Sequence, residues 1–177
     1  AGVDFPARFA LGTSPQVVAG VAALVLVVDQ GGDQAVHLVG LELETGALRW
    51  NVMISSAPGG APLRPTLGEA EQQLTLVTGQ GVIAGIEPRY GELLWLRTYA
   101  SKGEAGWREG PQGRGQGSAG ARRGGNTRDP GLIFTPGLLW CAPPDSDALL
   151  CLELETGAGR ALLHFPGGKL LGSAKGR

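Results

Sequence analysis

Few side chains in this sequence have the type and spacing for chemistry, and each admits a simpler use. Asp145-Ser146-Asp147 offers two carboxylates of the kind a calcium ion takes, but the further oxygen ligands of a recognisable loop are missing. The expectation is a hairpin turn held by Asp side chains, with no metal site. Glu42, Glu87 and Glu153 recur in corresponding places, and three such carboxylates invite an acid–base reading. Because each is repeated, pairing with turn amides or solvent is the expected use. His37 and His164 are the two histidines. Neither has a Ser, Cys or second His at motif spacing, so no triad or zinc site is expected. Cys141 and Cys151 flank Pro143–Asp147 symmetrically about Ser146. A hairpin centred there would set them opposite each other on neighbouring strands, close enough to bridge; two small buried thiols are the other reading. No phosphate-binding loop occurs. No residue is assigned to catalysis.

The elements that carry these residues are set by one phrase used three times: Gly40-Leu41-Glu42-Leu43-Glu44-Thr45-Gly46-Ala47-Leu48-Arg49-Trp50, then Gly85–Trp95, then Cys151–Ala161. Each copy reads as a strand, a tight turn and a second strand. Repetition at this scale decides architecture before any single residue does. The 177 residues include 31 Gly and 12 Pro, and only 18% are charged for a formal net charge of -1. That balance suits short strands joined by tight turns and offers no surface for a polyanion, so no nucleic-acid partner is expected. The longest apolar run, Val17–Val28, is too short for a membrane span and reads as two strands turning at Gly20. No long helical period with caps appears anywhere.

The fold class is therefore all-β, a partial propeller of about three four-stranded antiparallel blades plus the start of a fourth. The blades fall at about 16–53, 63–99 and 132–165 within a single incomplete domain, 1–177. Expected strands are Gln16–Ala19, Ala23–Asp29, Ala35–Glu42 and Ala47–Met53, then Leu63–Thr66, Gln73–Thr78, Val82–Glu87 and Glu92–Tyr99, then Leu132–Thr135, Leu138–Ala142, Ala148–Glu153 and Ala158–Phe165. The spacing of Gly46 and Gly91 suits one blade, while that of Gly91 and Gly157 is longer. The excess is 101–130, rich in Gly and Arg and poor in aliphatics, which reads as a flexible surface insertion. Residues 166–177 read as the truncated start of another blade. Closed propellers use about 4–8 blades, so the chain, which also begins without Met, is expected to be part of something longer. The remaining blades or a protein partner would then cover the open strand edges.

Within the phrase, Gly40, Gly85 and Cys151 share a small-residue position where a bulky neighbour must approach. Gly46, Gly91 and Gly157 end a turn that calls for positive φ. Trp50 and Trp95 close the first two copies, and their rings are expected to stack on small positions and glycine turns of an adjoining blade. The third copy has Ala161 there.

The phrase resembles the tryptophan-docking repeat of pyrroloquinoline-quinone-type β-propellers, whose usual form is Ala-x-Asp-x-x-Thr-Gly-x-x-x-Trp. That family includes quinoprotein alcohol dehydrogenases and a non-catalytic propeller lipoprotein of outer-membrane assembly. The segments from Gly12-Thr13-Ser14-Pro15 and from Asn126 to Asp147 are similar to bacterial quinoprotein-like repeat proteins frequent in planctomycetes. Glu stands where the family has Asp in all three copies. The resemblance implies a non-catalytic scaffold or interaction module, periplasmic or otherwise in the cell envelope. The alternative it implies is a piece of a pyrroloquinoline-quinone-dependent dehydrogenase with its catalytic residues in other blades. Such an enzyme would use the quinone, a calcium or lanthanide ion, an Asp base and adjacent cysteines. This sequence has no adjacent cysteine pair, so no cofactor is expected beyond what the family itself suggests.

Overall fold

A computed structural model describes residues 9–58, 63–100 and 131–164. The insertion expected at 101–130 and the further blade start expected at 166–177 lie outside the described residues. Among the described residues all thirteen elements are strands: β1 (Phe9–Leu11), β2 (Gln16–Val18), β3 (Val21–Gln30), β4 (Asp33–Glu42), β5 (Leu48–Pro58), β6 (Thr66–Ala70), β7 (Gln73–Val77), β8 (Val82–Ile86), β9 (Leu93–Thr98), β10 (Gly131–Thr135), β11 (Leu138–Ala142), β12 (Ala148–Glu153) and β13 (Gly159–His164). Among the described residues no helix is long and apolar enough to cross a membrane.

The strands form three antiparallel sheets in sequence order: β1-β3-β4-β5 with β2 also on β3, then β6-β7-β8-β9, then β10-β11-β12-β13. Each is a meander of neighbours joined by tight turns, the architecture of a partial β-propeller. In the first sheet one edge, beside β3, is shared by two short strands. β2 pairs with Val21–Ala23 and β1 with Leu26–Val28 of the same long β3.

The sheets pack face to face. Val21, Ala23, Val25, Val36, Leu38 and Ile54 of the first sheet meet Leu67, Leu74, Leu76, Ala84 and Ile86 of the second. The second sheet's other face, through Val77, Ile83 and Trp95, meets Leu139, Cys141, Leu150, Leu152 and Leu154 of the third. Period-2 alternation delivers alternate side chains to opposite faces, so the middle sheet feeds both cores. Every residue of β7 is accordingly buried. Close approach of the second and third sheets needs Gly68, where a Cβ would lie 2.8 Å from the ring of Phe134.

Several boundaries depart from the sequence expectation for identifiable reasons. The strand expected at Leu63–Thr66 lies instead at Thr66–Ala70, because Pro65 has no N–H to give a ladder and the strand starts after it. It ends in a tight turn with Glu71 and Gln72 both at positive φ, 50° and 62°, a conformation that the sequence does not advertise. β5 runs on to Pro58, five residues past the expected end, because Asp33–Val36 extend the ladder through Ser55–Pro58.

Of the two cysteine readings, the structure has the two buried thiols and not the cross-strand pair. Cys141 pairs with Leu150, and Cys151 pairs with Trp140. The hairpin is centred half a residue away from Ser146, and that one-residue change of register turns the two thiols to opposite faces of the sheet. Cys141 lies in the core against the second sheet, Cys151 on the face beyond it, and both are free and buried. Desolvation, then the charge of Asp145, pushes the Cys141 thiol far up from its ordinary value, so it is an inert packing group.

Candidate functional site

The three copies of the phrase build one turn three times. In the first, Gly46 N donates to Glu42 O at 2.8 Å and Glu42 N to Ala47 O at 2.8 Å; the third repeats this with Gly157 to Glu153 O at 2.9 Å and Glu153 to Ala158 O at 2.8 Å. The repeated glutamate is a turn-builder. Thr45 Oγ1 donates to Glu42 Oε2 at 2.7 Å and accepts from Ala47 N at 3.1 Å, and Thr156 stands in the same way between Glu153 and Ala158. In the second copy Tyr90 replaces Thr, and Glu87 takes the turn amides itself, from Arg89 N at 3.0 Å and Tyr90 N at 2.7 Å. Arg49 pairs with Glu42 and Arg160 with Glu153 across the open end. These carboxylates are spent on a Thr hydroxyl and a guanidinium in the first and third copies and on backbone amides in the second, which suits anchoring a turn.

Two of these turns receive an indole from the preceding sheet. Trp50 Nε1 donates to Pro88 O at 2.9 Å, and Trp95 Nε1 to Leu154 O at 2.8 Å. A Cβ on Gly91 would lie 2.6 Å from Trp50 Cδ2, and one on Gly157 at the same distance from Trp95 Cδ2. Both glycines are also at positive φ, 71° and 65°, so the position is fixed by backbone conformation and by the ring above it. Gln73 Nε2 adds a second hydrogen bond to Leu154 O at 2.9 Å, and Arg97 Nε binds Gly157 O at 2.9 Å.

The other small position works within a blade. Gly40 is the cross-strand partner of Trp50, and Gly85 of Trp95. Each lies under its own partner's indole, where a Cβ would collide with the ring. Of the small positions and turn glycines expected under the indole of an adjoining blade, the turn glycines are there and the small positions lie under the indole of their own sheet. Just after this pair the register shifts in every copy, at Gly40/Leu41, Gly85/Ile86 and Cys151/Leu152. A bulge of this kind bends the strand and re-aims the side chain beside it. In the third copy Cys151 faces Ala161: with no indole to clear, the small position carries a Cβ.

The opposite ends of the blades are joined in the reverse direction by Gln80, which sequence reasoning did not single out, and by Asp145, which it read only as part of a turn. Gln80, in the turn after β7, donates from Nε2 to Gln34 O of the first sheet at 2.9 Å and accepts from Ser55 Oγ at 2.6 Å. Asp145, in the turn after β11, accepts from Gly81 N at 3.0 Å and from Tyr99 OH at 2.6 Å. Both carboxylate oxygens of Asp145 are thus committed to the second sheet. The Asp145-Ser146-Asp147 turn is also closed internally, by Ser146 Oγ accepting from Ala148 N at 3.2 Å.

Burial, and then the neighbouring Asp145 carboxylate, raise the Tyr99 pKa well above its ordinary 10.0. The neutral phenol is favoured in the folded chain, so this contribution to stability is complete below about pH 10 and is lost as pH climbs from there towards the folded pKa. In chemical unfolding at successive pH values, Tyr99→Phe should lose less stability than the unmodified chain above pH 10. Identical slopes for the two proteins would show that Tyr99 is not the group that titrates.

The remaining candidates do not converge. His37 Nδ1 lies 3.0 Å from Asn51 Oδ1, and His164 ends β13 at the surface. Among the described residues no three of His, Cys, Asp and Glu gather as a metal-holding group. With Asp145 engaged as above, the donors described do not fit a quinone–cation centre. Ala19, Arg49, Arg89 and Tyr90 line a shallow hollow between the first two turns, with no nucleophile or buried acid in it.

No sequence model of a known protein family matches this chain, and no curated protein matches it. Among solved structures it is similar to BamB from Moraxella catarrhalis, at 20% identity over 82% of this chain and 33% of that one, with a TM-score of 0.47. It is also similar to a europium-containing methanol dehydrogenase, at 12% identity over 88% of this chain and 27% of that one, TM-score 0.41. The chain therefore spans at most 33% of the length of these two structures.

Proposed function

We propose that this chain is part of a quinoprotein-like propeller that acts as a scaffold or protein-interaction module, without chemistry of its own, in the bacterial cell envelope. The observation that carries the reading is the use of its conspicuous polar groups. Glu42, Glu87 and Glu153 hold turns, the two indole N–H groups hold carbonyls of the next sheet, and Asp145 holds Gly81 and Tyr99. A reactive centre needs groups left poised towards a substrate; here they are satisfied by the protein itself. The envelope setting is supported by the resemblance of the repeated phrase alone.

The test is to add pyrroloquinoline quinone and calcium to the full-length protein and to follow alcohol-dependent reduction of a dye. The expected result is a rate equal to that of the quinone and calcium without protein. Robust turnover would overturn the scaffold reading and assign the chain to a quinone-dependent dehydrogenase with catalytic residues in other blades.

A further inference from the structure

We propose that the hollow between the first two turns is a docking site for a carboxylate side chain on an acidic segment of a partner protein, held by Arg49 and Arg89. The proposal deepens the interaction-module reading above and rests on it. The hollow measures about 300 Å³ and is lined by Ala19 and Arg49 of the first sheet and by Arg89 and Tyr90 of the second. The junction between the second and third sheets supplies a comparison within the same chain. Ala19 in the β2–β3 turn and Glu71 in the β6–β7 turn hold the same place, both at φ 50°. Counted along the repeated phrase, Arg49 corresponds to Leu94, Arg89 to Glu155 and Tyr90 to Thr156. Two guanidiniums therefore stand at the first junction where the second has two carboxylates.

The exchange leaves a carboxylate missing. At the second junction Glu71 Oε1 accepts from Gly137 N at 3.1 Å, so the chain itself supplies a carboxylate that bridges the two sheets at this end. At the first junction Ala19 has none to give. Among the described residues Arg89 has no carboxylate partner, because Glu87 of its own turn is taken by the amides of Arg89 and Tyr90. Arg49 meets Glu42 in a single contact at 3.6 Å, which leaves most of its N–H donors for another acceptor. Two guanidinium forks on one hollow match a carboxylate, which each of them holds by charge-assisted hydrogen bonds.

The surroundings select what carries that carboxylate. Glu42, Glu44, Glu87 and Glu92 lie in or beside the same two turns, and they repel a dense array of negative charge far more than they repel one carboxylate. The rim is apolar. Leu43, whose N–H donates to Gly20 O next to Ala19, is 53% exposed, Val17 is 60% exposed and Tyr90 is 72% exposed. An Asp or Glu flanked by aliphatic residues meets both conditions, its carboxylate between the guanidiniums and its neighbours on Leu43, Val17 and the Tyr90 ring.

The test is a titration of the isotopically labelled protein with the peptide N-acetyl-Leu-Glu-Leu-amide, followed by NMR. It reads no alcohol oxidation, so its failure is distinguishable from failure of the scaffold reading. Shifts should concentrate at the side-chain Nε–H signals of Arg49 and Arg89 and at the amides of Ala19 and Tyr90, and N-acetyl-Leu-Gln-Leu-amide should not produce them. Absence of these shifts, or equal shifts with the Gln peptide, overturns the proposal. Arg89→Gln should weaken the peptide by about tenfold or more, the loss expected for hydrogen bonds to a charged group, while the unfolding midpoint stays where it was. Ala19→Glu, which gives the first junction the carboxylate of the second, should weaken it as well by occupying the guanidiniums from within. Unchanged affinity in both variants overturns the site. Tighter binding of inorganic phosphate or of phosphatidylglycerol vesicles at the same arginines would overturn an acidic protein segment as the occupant.

Discussion

Replacing Trp50 or Trp95 by alanine should lower the unfolding free energy by about 3–5 kcal/mol, the range for truncating a large buried aromatic. Each ring is almost wholly buried and lies between two backbones, its own partner glycine below and the next sheet's turn glycine above. Neither glycine has a side chain with which to close the gap, so collapse into the space is poor. The carbonyl of Pro88 or Leu154 also loses its indole donor. With domains stable by about 5–15 kcal/mol, one such loss should bring the midpoint of urea unfolding sharply down. Trp→Phe keeps most of the burial and removes the N–H, and should cost about 1–3 kcal/mol. The two sites differ in one respect. Leu154 O keeps a hydrogen bond from Gln73, so Trp95→Phe should be the milder change. A loss below about 1 kcal/mol for Trp→Ala at either site would remove its role in joining the sheets.

The propeller blades were legible because a repeat reports itself: glycine, glutamate and tryptophan at fixed offsets define a strand, a turn and a strand wherever they recur. β4, β8 and β12, which lead into the phrase, lie within a residue or two of their expected bounds. Legibility failed where the determinant is a relation between segments. Cys141 and Cys151 look symmetric about Ser146, and nothing local reveals that the ladder pairs Cys141 with Leu150. β6 contains Gly68, Glu69 and Ala70, poor strand formers, and forms because Gly68 lets Phe134 approach. The hydrogen bonds of Gln80 and Asp145 to the preceding sheet span separations of 25 to 64 residues. No motif records such a distance. The direction of docking was half legible: indole and glycine were recognisable as partners, but which glycine belongs to the same blade depends on the cross-strand register.

That register makes the small position and the indole a coupled pair, with a large and non-additive outcome when they are exchanged separately. Gly85→Cys should cost about 1–3 kcal/mol by overpacking, because a Cβ there would strike the Trp95 ring and come within 2.7 Å of Gln73 Nε2. Trp95→Ala should cost about 3–5 kcal/mol. Together they reproduce the Cys151 and Ala161 pair that the third sheet already accommodates, with Cys151 only 3% exposed. Once the indole is gone the cysteine no longer strikes the ring, and the close neighbour that remains is the flexible end of Gln73, which has the vacated space to move into. The double variant should therefore be more stable than the sum of the single losses implies, by at least about 1 kcal/mol, within the range seen for residues in contact. The reading is a four-protein urea-unfolding cycle at Gly85 and Trp95. Additive losses would mean that the indole is not what keeps this position small, and the paired change in the third copy would then have no packing explanation.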